Sequence, residues 1–368
     1  MDFSPRTITI YSVGLLGGSL GLALKQSGYK GKIIGLSSLS NIEKALELGC
    51  IDEGHDYGHL EEVIKETDLL FLCSPINTII DVLNNLSTMQ LHRDLLVTDV
   101  GSTKNFIMQA ASKLPEGVHF IGGHPMAGSE KSGPGAADPF LFQNAIYVLS
   151  SSNAVVTDLE KSFAAFLIEK LGCRTLFLDP MIHDQIAATV SHVPHLLAVA
   201  LVLLARKTEE EIPGTLTLAA GGFRDMTRIA SAPYTMWHDI LVTNRQAIGN
   251  QLDDLIIILK DIKEKLKQSS LKEAFNDSRE TRSKISSSGK GFINPLSEVL
   301  VRAKDQPGII TSISKVLSDQ MINIKDIEVV KVREGEGGTI RLAFESSDIA
   351  RKAIAILTQC GFLARERA

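Results

Sequence analysis

The stretch TITIYSVGLLGGSLGLALKQ, residues 7 to 26, constrains the fold more than any other part of the chain. Its β-branched opening, Thr7 to Val13, reads as a strand, and Leu20 to Gln26 is made of helix formers. Between them lie Gly14, Gly17 and Gly18. Strand, glycine turn and helix in this order begin a Rossmann-like α/β domain. Such a turn lets backbone approach a pyrophosphate closely, while unpaired N–H groups at the helix start attract its charge. Against the spacing GxGxxG, Gly14 and Gly17 take the second and third positions and Ser12 the first. A plain βα turn would also use these glycines, but their position between strand and helix favours a dinucleotide. Ser12, Gly14, Leu15, Leu16 and Gly17 are therefore candidate cofactor contacts.

The second strand, Lys32 to Leu36, runs into Ser37 and Ser38, where an NAD enzyme usually keeps an acidic residue and an NADP enzyme a nearby arginine. Neither is present, so NAD is favoured and NADP is not excluded. A helix follows at Asn41 to Leu48, and the strand DLLFLC, residues 68 to 73, then stops at Ser74-Pro75. That stop is either an ordinary strand end or the place where the nicotinamide half lies. After a helix near Ile79 to Leu86, LLVTDV (95 to 100) leads into GSTK (101 to 104), where Ser102 either caps the next helix or faces the same crevice. Strands near 145 to 150 and 174 to 178, with a helix from Leu159 to Leu171 between them, close the block.

The segment GHPMAGSEKSG, residues 123 to 133, is so interrupted by Gly and Pro that it reads as a loop rather than a helix or central strand. It crowds His124, Ser129, Glu130 and Lys131 together: a proton acceptor, a hydroxyl and two opposite charges. From Pro180 the pattern turns to long helices. In SHVPH (191 to 195), His192 and His195 share a helix face and Pro194 should kink the helix. Two histidines so spaced suit a metal or, for His195, an anion; no carboxylate or cysteine cluster follows, and no metal is assigned. In GGFRDMTRIA (221 to 230), Arg224 and Arg228 leave one side of a helix, either as a carboxylate clamp or as solvated arginines paired to Asp225. LDDLIIILKDIKEKL (252 to 266) is apolar on one flank and suggests self-association. Residues 268 to 291 read as a linker, and the remainder follows a βαββαβ, ferredoxin-like order.

Composition excludes some classes of partner. The 368 residues are 44% apolar and 22% charged with a net charge of -5, a balance that fits two or three domains and offers no basic excess for nucleic acid. The longest apolar run, Leu196 to Ala205, is too short to span a bilayer, so no membrane partner is expected. The four cysteines are scattered and no positively charged leader opens the chain, which fits a cytoplasmic protein.

Taken in order, the glycine turn, DVGSTK, GHPMAGSEKSG, SHVPH and GGFRDMTRIA resemble the prephenate dehydrogenase family of tyrosine biosynthesis over almost the whole chain. The distal block, with DQPG and INIKDIEV, is similar to an ACT-type regulatory domain. The resemblance implies a dinucleotide-binding domain over 1–178, an all-helical substrate and dimerisation domain over 179–275, a linker at 276–296 and the ACT-type domain over 297–368. It further implies oxidative decarboxylation of prephenate to 4-hydroxyphenylpyruvate with NAD, a homodimer, and tyrosine as effector.

Residue by residue, the resemblance makes His124 the acceptor of the proton from the ring 4-hydroxyl as hydride leaves, with Ser102 orienting either that histidine or the hydroxyl. Such a base needs a pKa near neutral, and an unperturbed imidazole lies near 6.5. Arg228 would bind a substrate carboxylate and His195 the side-chain end, while Ser129, Glu130, Arg224 and Asp225 would line the pocket or gate it across the dimer. Asp305, Gly308, Asn323 and Ile324 would hold the effector. Three positions depart from the family pattern: Ser12 in the glycine turn, Ser37 at the ribose, and Met321 where glycine is common. Two rivals stay open. One is an arogenate dehydrogenase with the same chemistry; the other is a non-catalytic sensor of NAD(H) and an amino acid, which would not need the base His124.

Overall fold

The computed structural model describes residues 3–89, 94–128, 131–151, 153, 155–268, 270–285, 296–303, 306–333 and 337–367. Contacts divide the chain into two compact units, Met1–Glu264 and Lys265–Ala368.

The first unit begins β1 (Thr7–Tyr11), α1 (Leu15–Gln26), β2 (Lys32–Leu36), α2 (Leu39–Glu47), β3 (Glu53–His55), α3 (Leu60–Val63), β4 (Leu69–Leu72), α4 (Ile76–Leu86), β5 (Leu95–Asp99) and α5 (Asn105–Ala111). It continues with β6 (Val118–Pro125), β7 (Ile146–Ser150), α6 (Asp158–Leu171) and β8 (Arg174–Phe177). The strands form one sheet in the order β3-β2-β1-β4-β5-β6-β7-β8, parallel except where β6 meets β7. Strands apolar on both faces require cover on both. Ile8, Ile10, Leu69 and Phe71 accordingly pack with Leu20, Leu24, Phe163 and Leu167 on one side. The alternate residues Ile34, Leu36, Leu70 and Leu72 pack with Ile79, Leu83 and Ile107 on the other. A capping box between Thr157 and Glu160 opens α6, and Gly172 in the left-handed region closes it.

The helices that follow are α7 (Pro180–Ala187), α8 (Val193–Glu211), α9 (Gly221–Thr227), α10 (Tyr234–Thr243) and α11 (Arg245–Lys267). The expected kink is a single π-turn at Ala188–His192 joining α7 to α8, with Pro194 in the first turn of α8 where its missing N–H does least harm. The continuous stretch Pro180–Glu211 is, by length and composition, apolar enough to cross a membrane, so the run read from sequence was too short a measure. Yet this stretch buries His183, Asp184, His192 and His195, which marks it as a helix of the domain. Ile256, Ile257, Ile258, Leu259 and Ile262 of α11 are exposed, and because the first four are consecutive the exposed apolar surface runs around the helix rather than along the one flank expected.

The second unit contains α12 (Lys272–Ser283), so the stretch read as a linker is helical over those residues, and then β9 (Ser297–Ala303), α13 (Ile309–Ser318), β10 (Asp326–Arg333), β11 (Gly337–Phe344), α14 (Ser347–Gln359) and β12 (Leu363–Glu366). Its antiparallel sheet runs β10-β11-β9-β12, and Val299, Val301, Ile340, Leu342 and Phe344 pack beneath Ile313, Leu317, Ala353 and Leu357. The βαββαβ order expected from the sequence is the one observed.

Two corrections bear on the site. Gly123, His124 and Pro125 are not in a loop: they end strand β6, whose residues Gly122 to Pro125 pair with Ser150 to Tyr147 of β7. The glycine there serves close approach, since a Cβ on Gly123 would sit 2.4 Å from the Asp99 carbonyl. Proline is tolerated because it is the last strand residue. Ser12, standing where the fingerprint has glycine, adopts a left-handed φ of 73°, so the turn keeps its shape at the strain cost that glycine would avoid.

Candidate active site

The carboxyl ends of β1, β4, β5 and β6 open into a cleft of about 960 Å³ that α8 and α10 close from the other side. Strand direction makes this edge the place where a bound group meets both the sheet loops and the helix starts. Of the residues singled out from sequence, Gly14, Leu15, Leu16, Ser74, Pro75, Ser102, His124, His195 and Arg228 all line it. Gly17 lies beneath, where a Cβ would meet the Ser12 carbonyl at 2.3 Å, and Ser12 and Ser37 stand beside it at the ends of β1 and β2.

A dinucleotide fits this edge. No side chain caps the first turn of α1 and no acidic residue stands in it, so its amides remain free for an anion; a Cβ on Gly14 would meet nothing within 4 Å.

His124 is held from behind. Its Nδ1 lies 2.9 Å from Nε2 of His183, and His183 Nδ1 lies 2.8 Å from a carboxylate oxygen of Asp184. Asp184 also accepts the amides of Lys104 and Asn105 at 2.7 and 2.9 Å, which fixes the carboxylate at the start of α5. A carboxylate accepts only, so His183 donates through Nδ1 and accepts through Nε2. His124 in turn donates through Nδ1, and among the described residues its Nε2 is the ring nitrogen outside this chain of bonds.

Beneath the histidine, Asp99 accepts the Gly123 amide at 2.9 Å and forms a fully buried ion pair with Lys104. Burial lowers the Lys104 pKa although Asp99 opposes it. For His124 the causes agree: burial first, then His183, Lys104 and His192, hold it well below its ordinary 6.5. The expectation of a near-neutral imidazole is thus corrected; His124 is a neutral acceptor across the physiological range.

His192 and His195 do not converge on one point. His195 stacks on Trp237 with centroids 3.7 Å apart and planes inclined by 16°, while His192 meets the same ring edge-on and its Nδ1 lies 3.1 Å from Asn244 Nδ2. Burial lowers both histidine pKa values, that of His192 to about 4. Among the described residues no group of three His, Cys, Asp or Glu side chains is placed to hold a metal ion.

The two arginines separate as well. α9 ends at Thr227 and Arg228 begins a tighter turn, so Arg228 reaches the cleft rim while Arg224 stays exposed and donates to the Ala219 carbonyl at 3.1 Å. Asp225 is exposed beside it. Ser129 and Glu130 lie outside the described residues, as does Asp305. Gly308 caps α13 in the left-handed region, and Asn323 and Ile324 precede β10. Sequence reasoning missed His183, Asp184, Asp99 and Lys104. The only local signals were the pairs His183-Asp184 and Asp99 before GSTK, neither of which declares its partner.

Fold and cleft together define the class of dinucleotide-dependent oxidoreductases. The nucleotide-binding domain of prephenate dehydrogenase matches residues 20–175, and its dimerization domain matches 179–277. The chain belongs to the prephenate dehydrogenase family. It is 34% identical to the prephenate dehydrogenase of Bacillus subtilis over 96% of both chains. The A. aeolicus prephenate dehydrogenase, solved with hydroxyphenyl propionate and NAD+, superposes with a TM-score of 0.69 at 30% identity, covering 77% of this chain and 98% of that one. Synechocystis arogenate dehydrogenase superposes at 0.64 and 30%, covering 75% and 97%.

Proposed function

We propose that the chain oxidatively decarboxylates prephenate to 4-hydroxyphenylpyruvate with NAD, and that His124 is its general base. The observation that carries this reading is the Asp184–His183–His124 chain, which engages Nδ1 of His124 and so reserves Nε2 as the acceptor of a residue that lines the cleft. Gly14, Leu15, Leu16, Ser74 and Pro75 would hold the cofactor, with Ser12, Gly17 and Ser37 shaping its turn. When bound, the nicotinamide supplies the hydride acceptor.

The work of the chain's own residues is proton transfer and placement. His124 Nε2 takes the ring hydroxyl proton, and Ser102, on the same cleft wall, orients that hydroxyl. The Asp184 carboxylate, bonded to His183 behind it, orients the His124 ring and faces the positive charge that develops there. Arg228 pairs with a substrate carboxylate at the rim and His195, fixed by Trp237, meets the side-chain end. Loss of carbon dioxide needs little further help because the ring becomes aromatic.

The same reading divides the chain at 1–178, 179–275, 276–296 and 297–368, and makes the exposed apolar surface of α11 part of a homodimer to which Ser129, Glu130, Arg224 and Asp225 contribute pocket or gate positions. The βαββαβ unit would be an ACT-type domain binding tyrosine through Asp305, Gly308, Asn323 and Ile324. In its support, the match to the Bacillus relative includes this unit. Arogenate is the second reading, favoured by the likeness to the Synechocystis enzyme.

Absorbance at the nicotinamide band with prephenate or arogenate, each with NAD+ and NADP+, is the direct test. Faster reduction with prephenate supports the first reading and with arogenate the second. No reduction with either would leave the non-catalytic sensor.

A further inference from the structure

Beside the cleft, at the ends of β1 and β2, the chain has hydroxyls where a familiar charge would stand. The segment after β2, Ser37 to Asn41, contains neither the carboxylate that selects an unphosphorylated ribose nor a cation that would grip a 2′-phosphate. The nearby acids are engaged elsewhere: Glu53 pairs with His55 and Lys32 at 2.6 and 2.8 Å, and Asp56 pairs with His59 at 3.1 Å. Into the space comes Tyr57, presented by a short 3-10 turn that Asp56 caps. Its ring packs on Tyr11 with centroids 4.9 Å apart. Its hydroxyl lies 2.9 Å from Ser12 Oγ and 3.5 Å from Ser37 Oγ. Ser12 Oγ in turn meets Ser74 Oγ at 2.6 Å, so one string of hydroxyls spans the ends of β1, β2 and β4.

We propose that the Tyr57 hydroxyl, held between Ser12 and Ser37, recognises the adenosine ribose in place of a carboxylate, so that the chain binds NAD(H) and NADP(H) with comparable affinity. The inference rests on the dinucleotide reading of the cleft. A hydroxyl both donates and accepts, so it serves a 2′-hydroxyl and a 2′-phosphate alike, whereas a carboxylate repels the phosphate. Ser12 contributes to this in a way glycine would not, because its side chain anchors the tyrosine.

The test is fluorescence titration of the full chain with NADH and with NADPH, without substrate. Wild-type dissociation constants are expected within about tenfold of each other. Tyr57→Phe keeps the ring packing on Tyr11 and should weaken both nucleotides roughly two- to tenfold, the worth of one hydrogen bond. Ser37→Asp places a carboxylate at the ribose and should weaken NADPH at least about 30-fold more than it weakens NADH. NADPH bound more than about 100-fold weaker than NADH by wild type, or unchanged constants in Tyr57→Phe, would overturn the inference while leaving the dinucleotide reading intact. Failure of wild type to bind either nucleotide would overturn both.

Discussion

His124 Nδ1 and His183 Nε2 meet at 2.9 Å across 59 residues of sequence, and this contact engages one of the two imidazole nitrogens of His124. His124→Asn should lower kcat about 10²- to 10⁴-fold, the usual worth of a general base, while substrate still binds. His183→Gln leaves the base in place but releases its tautomer, and should lower kcat by about 10- to 10³-fold with little change in KM. Steady-state kinetics separates the two, and an unchanged kcat in His183→Gln would remove the relay from the mechanism.

The role proposed for Arg228 is in binding rather than chemistry. Its guanidinium stands at the cleft rim, where pairing with a carboxylate is partly screened, so Arg228→Ala should cost about 2 kcal/mol, roughly a 30-fold rise in KM. A KM equal to wild type would take Arg228 out of the site.

Stability should respond to pH through His192, whose pKa is lowered to about 4 in the folded chain by burial. The unfolded group protonates near 6.5, so between pH 6.5 and about 4 the unfolded state binds the extra proton and stability falls as pH falls. The full shift corresponds to about 3 kcal/mol. Above pH 6.5 this group contributes no slope, since both states are neutral. Urea unfolding across this range should show the decline, and His192→Gln should flatten it.

The βαββαβ unit carries its own core of Val299, Val301, Leu342 and Phe344, so removing residues after 290 should spare catalysis. If the unit binds tyrosine, the shortened enzyme turns over normally and tyrosine no longer inhibits it. Inhibition that survives the truncation would locate the effector in the first unit.

Much of this was legible before any coordinates. The strand, glycine turn and helix at residues 7 to 26 required an α/β sheet because period and turn chemistry act over a few residues. His124, Ser102, His195 and Arg228 were given roles by the resemblance of their motifs to a family rather than by local period, and they share one cleft. Even the Ser12 departure was visible, and its φ of 73° shows that the turn dictates the backbone whichever residue occupies it.

What tertiary structure alone decided are relationships between distant residues. A glycine pair beside proline reads as a loop, but Gly123 and His124 become a strand end because β7 and the Asp99 carboxylate satisfy their backbone. His183 and Asp184 look like surface helix residues until α7 packs on α5 and buries them. Tyr57 is one aromatic in a polar stretch until its hydroxyl arrives between Ser12 and Ser37. Sequence period fixes which face of an element is apolar; it does not carry the identity of the group that packs there, and the tautomer, the lowered pKa values and the string of hydroxyls around Tyr57 all depend on that group.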